Sequence, residues 1–441
     1  MITRQRENEI SILMFWKKWH VKPNIYIIEK VSNVMKSDYI SRSKKITDTY
    51  FDIFKRFLKF GFLAWGGPVA QIDMIRQELV EEEKWVSQKT FNRILGVYQA
   101  LPGPEAHELC VYFGMVARGR LGGFLAGLGF MLPGFLLILF LSWFYITIGI
   151  NSPILASLFF GIQAAVIALI FRAVHRIGKS VITNYWLLLP FFLTVAGEIL
   201  KIHFLITLIS SGLIYLFLNR RKFLISFLLI TIFLIGIIGY SAYIPIADSN
   251  GISTNSNEVQ SSSHVTLLSL FGSGLKSGLL TFGGAYTVIP FLRNDAVNLG
   301  KWMTDAAFLD GLGLSGILPA PLVIFGTFVG YLGGGFLGAL AVTAGIFLPA
   351  FGFTLVLFKV IEKLSQNKTC SHFLNGVTAG VVGIITVTAI DLFRIQIINL
   401  FSLILVILSL IILYRWKSKL NVPVVVISAG LISLLATFLQ L

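Results

Sequence analysis

Charge is what this chain has least of. Asp, Glu, Lys and Arg together make up 13% of its 441 residues, about half the share usual in a soluble domain. Several stretches run about 18 or more residues with almost none, enough to span a hydrocarbon core of about 30 Å. A soluble globular fold is thereby excluded. Cysteine is nearly absent as well. Cys110 and Cys370 lie in or beside apolar stretches and offer neither a disulfide framework nor metal-ligand spacing, so no metal and no cofactor are expected. No Walker-type phosphate loop occurs, which excludes ATP hydrolysis by this chain. No secretory signal is present: the apolar run Ser11–Trp16 is short and is followed by Lys17, Lys18 and Lys22, as in an interfacial or disordered tail. The ~10-residue alternating segments of a transmembrane barrel are missing too. What remains is an all-α polytopic membrane protein.

The net charge of +15 does not point to nucleic acid, because no basic patch is interleaved with aromatics. Lys and Arg gather instead in residues 1–50 and in short loops, as membrane orientation requires. The expected partner at this level is the lipid bilayer, and no nucleic acid is expected. The oligomeric state stays open, a homodimer among the options.

One motif occurs twice. Lys59, Gly61, Gly66, Gly67, Ile72, Arg76, Lys84, Trp85, Phe91, Gly96, Pro102 and Pro104 recur 217 positions later as Lys276, Gly278, Gly283, Gly284, Ile289, Arg293, Lys301, Trp302, Phe308, Gly313, Pro319 and Pro321. The offset becomes 216 further on, where Leu121-Gly122 matches Leu337-Gly338. Hydropathy predicts about thirteen crossings: 54–75, 91–117, 121–148, 153–175, 183–199, 202–218 and 223–245, then 266–291, 304–332, 335–358, 372–393, 396–414 and 422–440. Four parts follow: a basic tail over 1–50, a first repeat over 51–220, a linker helix with a polar loop over 221–264, and a second repeat over 265–441.

Positive charge orients them. The tail, Arg172–Lys179, Asn219–Lys222, Lys359–Lys368 and Arg415–Lys419 fall on the cytoplasmic side. Ala247–His264, without Lys or Arg, falls outside. The N-terminus is then cytoplasmic, the C-terminus external, and the two copies are inverted relative to each other. Arg76, Lys89, Arg93 and Arg394 are exceptions that fall outside in this count.

Both copies are interrupted at matched places. Leu101-Pro102-Gly103-Pro104 and Leu318-Pro319-Ala320-Pro321 divide the second span of each copy, since proline removes a donor and clashes with the preceding turn. Proline suits a first helical turn, so new half-helices begin near Pro104 and Pro321. Such a break in lipid needs protein or a watery cavity to satisfy its freed groups. The N-terminus it creates favours an anion. Trp65-Gly66-Gly67-Pro68 and Phe282-Gly283-Gly284-Ala285 soften the first spans. The plainer readings are structural kinks for the prolines and close helix packing for the glycines.

Charged residues complete the candidate set. Lys59 and Lys276 occupy matched positions in the first spans; the choice is between attracting an anion and snorkelling to an interface. Arg76 and Arg293 suit oxyanion capture, Lys84-Trp85 and Lys301-Trp302 interfacial anchoring. The expected substrate-binding set is Trp65, Gly66, Gly67, Pro68, Arg76, Pro102, Gly103, Pro104, Lys276, Phe282, Gly283, Gly284, Arg293, Pro319, Ala320 and Pro321. Glu105, His107 and Glu108 open the second half-helix of copy one, where copy two has Leu322, Ile324 and Phe325. They are the candidates for carrying a coupling proton.

Phe60-Gly61-Phe62-Leu63-Ala64-Trp65-Gly66-Gly67-Pro68, Leu101–Ala106, Thr281–Tyr286 and Gly316–Ile324 with Thr327–Tyr331 resemble the chromate ion transporter family in its two-domain form, over about residues 51–440. The resemblance implies a multi-pass protein of the bacterial plasma (inner) membrane that exports chromate, a sulfate-like dianion. It also implies functional roles for the Gly-Gly-Pro region, the Pro-Gly-Pro region and the arginine after the first span. His107-Glu108 and the long basic tail depart from the family pattern. Sulfate or an organic anion is the alternative cargo. A membrane-embedded transferase using His107 and Glu108, and a channel, are the alternatives in kind.

Overall fold

The computed structural model describes residues 46–99, 101–149, 152–220, a few positions between 222 and 231, 265–358 and 367–439. The chain is helical throughout these, as the composition requires. The linker crossing expected over 223–245 and the polar loop after it lie almost wholly outside the described residues.

The first two expected spans of each copy do not cross. Helix α1 (Tyr50–Phe62) starts under a Thr49–Asp52 capping box and has 13 residues, about 20 Å long. At Gly66 and Gly67 the backbone takes φ values of +88° and +76°, a conformation open to glycine. The chain then turns back as α2 (Gly67–Ile75), which continues as a wider turn over Arg76–Glu82. Arg56 closes the loop. It reaches Asp48 before α1 at 3.1 Å and Glu83 after the returning arm at 2.5 Å. A second hairpin follows. Helix α3 (Gln88–Gln99) rises to the Pro102–Pro104 break, and α4 (Glu105–Phe144) descends from it. Phe91 and Phe113 stack across the two arms at 6.4 Å. Helix α4 itself folds back at Arg118 and Gly119, whose dihedrals are not helical. A Cβ on Gly114 would sit 2.4 Å from the Gly122 carbonyl. Arg118 donates to the Asp48 and Thr47 carbonyls, so 105–117 ends at the face from which α1 started. Only the second arm, 120–144, is long enough to cross.

Copy two repeats this from the other face. Helix α8 (Leu267–Leu279) leads to Gly283 and Gly284 at φ +79° and +123°. The chain returns through α9 (Ile289–Arg293) and the turn Asn294–Leu299. Helix α10 (Asp305–Ile317) rises to the Pro319–Pro321 break, and α11 (Phe325–Leu355) carries the matched fold-back at Gly334 and Gly335. Gly330 and Gly338 approach as closely as Gly114 and Gly122. The thirteen-crossing count is corrected in this respect. Stretches 54–75, 91–117, 266–291 and 304–332 form re-entrant hairpins, because arms of 12–13 residues cannot bridge about 30 Å of hydrocarbon. Arg76, Lys89 and Arg93 thereby return to the face of α1 and cease to be exceptions. Cysteines at the exposed Thr47 and Ser87, with Cys110 and Cys370 replaced by serine, should react with an impermeant maleimide from the same side of the membrane. Reaction from opposite sides would mean that α1 and α2 cross.

Helices α5 (Pro153–Val181), α12 (Lys368–Gln396) and α14 (Asn421–Phe438) are long and apolar enough to cross, and the shorter apolar helices α6 (Leu188–Ile199) and α7 (Phe204–Asn219) of copy one and α13 (Leu400–Arg415) of copy two pack among them. They join 120–144 and the long arm of α11. Their packing is exchanged between the copies. Helix α5 lies on α13 and α14, and α12 lies on α6 and α7. Small residues permit it: a Cβ on Gly161 would meet the Ala429 carbonyl at 2.1 Å, and one on Gly376 the Ser211 carbonyl at 2.6 Å.

Candidate functional site

Hairpin tips from the two copies meet in the interior. Two of them, one from each copy, are joined by backbone: Gly103 N–H donates to the Thr281 carbonyl at 2.8 Å, and Pro102 pairs with Phe282. The structure thus brings Pro102, Gly103 and Pro104 together with Phe282, Gly283 and Gly284. Pro104 caps the helix that begins at Glu105, as the proline argument predicts.

The matched pair of tips is not joined in this way. Ala320 N–H bonds within its own turn to the Leu318 carbonyl, and the Ala64 carbonyl accepts from Gln71 at 2.9 Å. Ala320 lies against Gly134 instead, and Gly66 against the Lys419 backbone. The asymmetry extends along the arms. In copy two, Gly313 of α10 is pressed onto Ile162 and Val166 of α5. Its counterpart in copy one, Gly96 of α3, faces open space. So do Gly67 and Gly284. Helix α10 is thus closed against α5, whereas, among the described residues, α3 has no crossing helix packed on its matched glycine.

The expected charged residues divide. Lys59 pairs with Glu78 at 3.7 Å, and Lys276 pairs with Asp295 beside the Phe204 ring. This acid–base pair holds the two hairpin arms together in both copies. Arg76 is engaged with Asp73 and Glu81 at 2.6 and 2.9 Å at the surface. Asp73 and Glu81 keep its guanidinium firmly charged, with its pKa above the usual arginine value. Arg293 is buried against Asp305 at 2.7 Å and lies 3.9 Å from Asp391. Both arginines sit near the outer ends of the returning arms rather than at the tips.

Glu105 follows Pro104 directly and lies in electrostatic reach of Arg176. His107 is fully buried between Phe347 and Phe351 of copy two, 4.8 Å from each. Glu108 is fully buried against Gly103. Neither His107 nor Glu108 has a side-chain hydrogen-bond partner among the described residues.

Two groups escaped the sequence reading. Arg172 and Arg176, counted there only among the cytoplasmic charges, belong to the continuous helix α5 and flank Tyr286, just past the Gly283-Gly284 tip. Asp310 of α10 is 5% exposed and accepts from Tyr145 at 2.8 Å and Gln163 at 2.7 Å. Both partners belong to copy one. No spacing in the sequence links these three residues.

A membrane-embedded helical duplication, with re-entrant tips of the two copies joined in the interior and unequal packing of the matched arms, defines a membrane transporter. The model of the family described as "Chromate transporter" matches residues 51–241 and 268–434. A chromate transport protein of Pseudomonas aeruginosa is 53% identical over 389 residues, covering 87% of this chain and 91% of that protein. A chromate transport protein of Cupriavidus metallidurans is 31% identical over 384 residues, covering 86% and 91%. An uncharacterized transporter of Methanocaldococcus jannaschii is 28% identical over 402 residues, covering 87% and 94%. No solved structure matches. The chain belongs to the chromate transporter family.

Proposed function

We propose that this chain is a secondary active transporter that exports chromate across the bacterial plasma membrane by alternating access. The observation that carries the mechanism is the opposite environment of two matched residues: Gly313 packed on α5, Gly96 open. An inverted duplication whose halves differ in this way represents one end state, and exchanging the two environments generates the other. Arg118, Arg120, Arg220, Lys222 and Lys368 gather at the face where α1 begins, Arg118 at the Asp48 carbonyl and Arg220 at Thr369. By the positive-inside rule that face is cytoplasmic, together with the basic tail 1–50, and the chain ends outside. The state described here is then the one that receives cargo from the cytoplasm.

The tips Trp65–Pro68, Pro102–Pro104, Phe282–Gly284 and Pro319–Pro321 form the cargo site in this reading. Glu105, His107 and Glu108 carry the coupling proton, Glu105 within reach of Arg176 and the other two behind it. Support for chromate comes from the names of the relatives. Cells making this chain should accumulate several-fold less labelled chromate than cells without it, and an imposed pH gradient should drive flux in vesicles. Equal accumulation with the protein present in the membrane would refute chromate export. Competition by sulfate but not chromate would reassign the cargo.

A further inference from the structure

The geometry points to Arg172 and Arg176 as the residues that grip the anion, with Glu105 as a built-in competitor for Arg176; this rests on the transport reading above. The two arginines stand one turn apart on α5. Their side chains are neighbours, and like charges at this spacing oppose helix formation. Among the described residues neither has a carboxylate at ion-pair distance, unlike Arg56, Arg76 and Arg293. The Arg176 guanidinium lies 5.8 Å from the Tyr286 ring centroid, within cation–π range. That contact leaves its N–H groups free. Arg172 is half-buried on the same side, with Tyr286 and Tyr414 in electrostatic reach.

Around this pair stand the groups an oxyanion site requires. Tyr286 follows the Gly283-Gly284 turn, and Gly283 lies over Ile177 and Val181 of the same helix α5. Gly284 faces open space. Glu105 begins the helix after the Pro104 break, beside the tip where Gly103 N–H donates to the Thr281 carbonyl and Pro102 pairs with Phe282. A tetrahedral dianion offers four oxygens, so each planar guanidinium can take two of them bidentately. With Glu105 charged, the site carries one net positive charge. With Glu105 neutral or turned away, it carries two and matches a dianion. Cargo and a charged Glu105 therefore oppose each other near Arg176. Copy two has Leu322 where Glu105 stands, so the competitor exists on the cytoplasm-facing side alone.

The test is binding and transport of chromate and sulfate by the purified full chain, by titration calorimetry in detergent and by flux in proteoliposomes. Arg172→Gln and Arg176→Gln should each weaken binding at least tenfold and raise KM in proportion, with kcat changed less than threefold. Arg176→Lys, keeping charge without the fork, should fall between. Glu105→Gln should tighten binding at least threefold, and Arg176→Gln with Glu105→Gln should bind no better than Arg176→Gln alone. A gain of affinity does not arise from a merely structural role. The exposed Lys179→Gln, on the same helix, should bind as the parent does. The inference is overturned if the parent binds and transports while the arginine variants keep its affinity within twofold, or if Glu105→Gln binds no tighter. A parent that neither binds nor moves either anion would overturn the transport reading itself.

Discussion

Gly96→Trp should leave the protein folded and stop transport. A Cβ at Gly96 meets nothing within 4 Å, so the indole has room in this conformation and stability should stay close to that of the parent. In the opposite state α3 must lie on α12 as α10 now lies on α5, with Gly96 against Thr378 and Val382, the counterparts of Ile162 and Val166 at the 216-residue offset. An indole cannot enter an interface shaped for glycine, since overpacking costs about 1–3 kcal/mol even for an extra methylene. The expected result is an unchanged thermal midpoint and flux near background. Normal flux through Gly96→Trp would mean that α3 never packs there, and alternating access between these two states would fall. The converse variant, Gly313→Ala, already brings a Cβ to 2.1 Å from Ile162. It should bias the protein away from the present state.

The second large effect concerns Asp310. Its carboxyl joins Tyr145 and Gln163 across the two copies, and all three groups are at or near full burial. Asp310→Leu removes the acceptor and leaves a hydroxyl and an amide unpaired. Each stranded buried donor costs about 1–3 kcal/mol, so the variant should lose about 2–6 kcal/mol in denaturant unfolding in detergent. Adding Tyr145→Phe and Gln163→Leu removes the stranded groups and should restore most of that loss. Such a recovery distinguishes a hydrogen-bond cluster from simple misfit. An Asp310→Leu protein as stable as the parent would show that the three side chains do not share a buried site.

Local chemistry was legible in the sequence, and direction of travel was not. Pro102, Pro104, Pro319 and Pro321 mark breaks because proline acts on its own turn. The fold-back at 118–119 was likewise legible as a boundary between spans. The re-entrant hairpins were not, because an apolar arm looks alike whether it crosses or returns. A clue was present: Lys59 and Glu78 recur as Lys276 and Asp295 at the same offset, and an acid kept opposite a base 19 residues on is sensible only if the chain doubles back. Arg76, Lys89 and Arg93, awkward for a crossing, carried the same message. The roles of Arg172 and Asp310 depend on elements more than 100 residues away. No periodicity records such encounters.

The exchange of α5 and α12 between the copies bears on how the molecule is made. When a ribosome has released the first 220 residues, Pro153–Val181 has yet to meet the α13 and α14 surfaces it will lie on. Gly161 waits for a backbone synthesised more than 250 residues later. Assembly must therefore finish after synthesis, with each half serving as the other's chaperone. A chain stopped at the midpoint would offer the quality-control machinery a substrate rather than a working half.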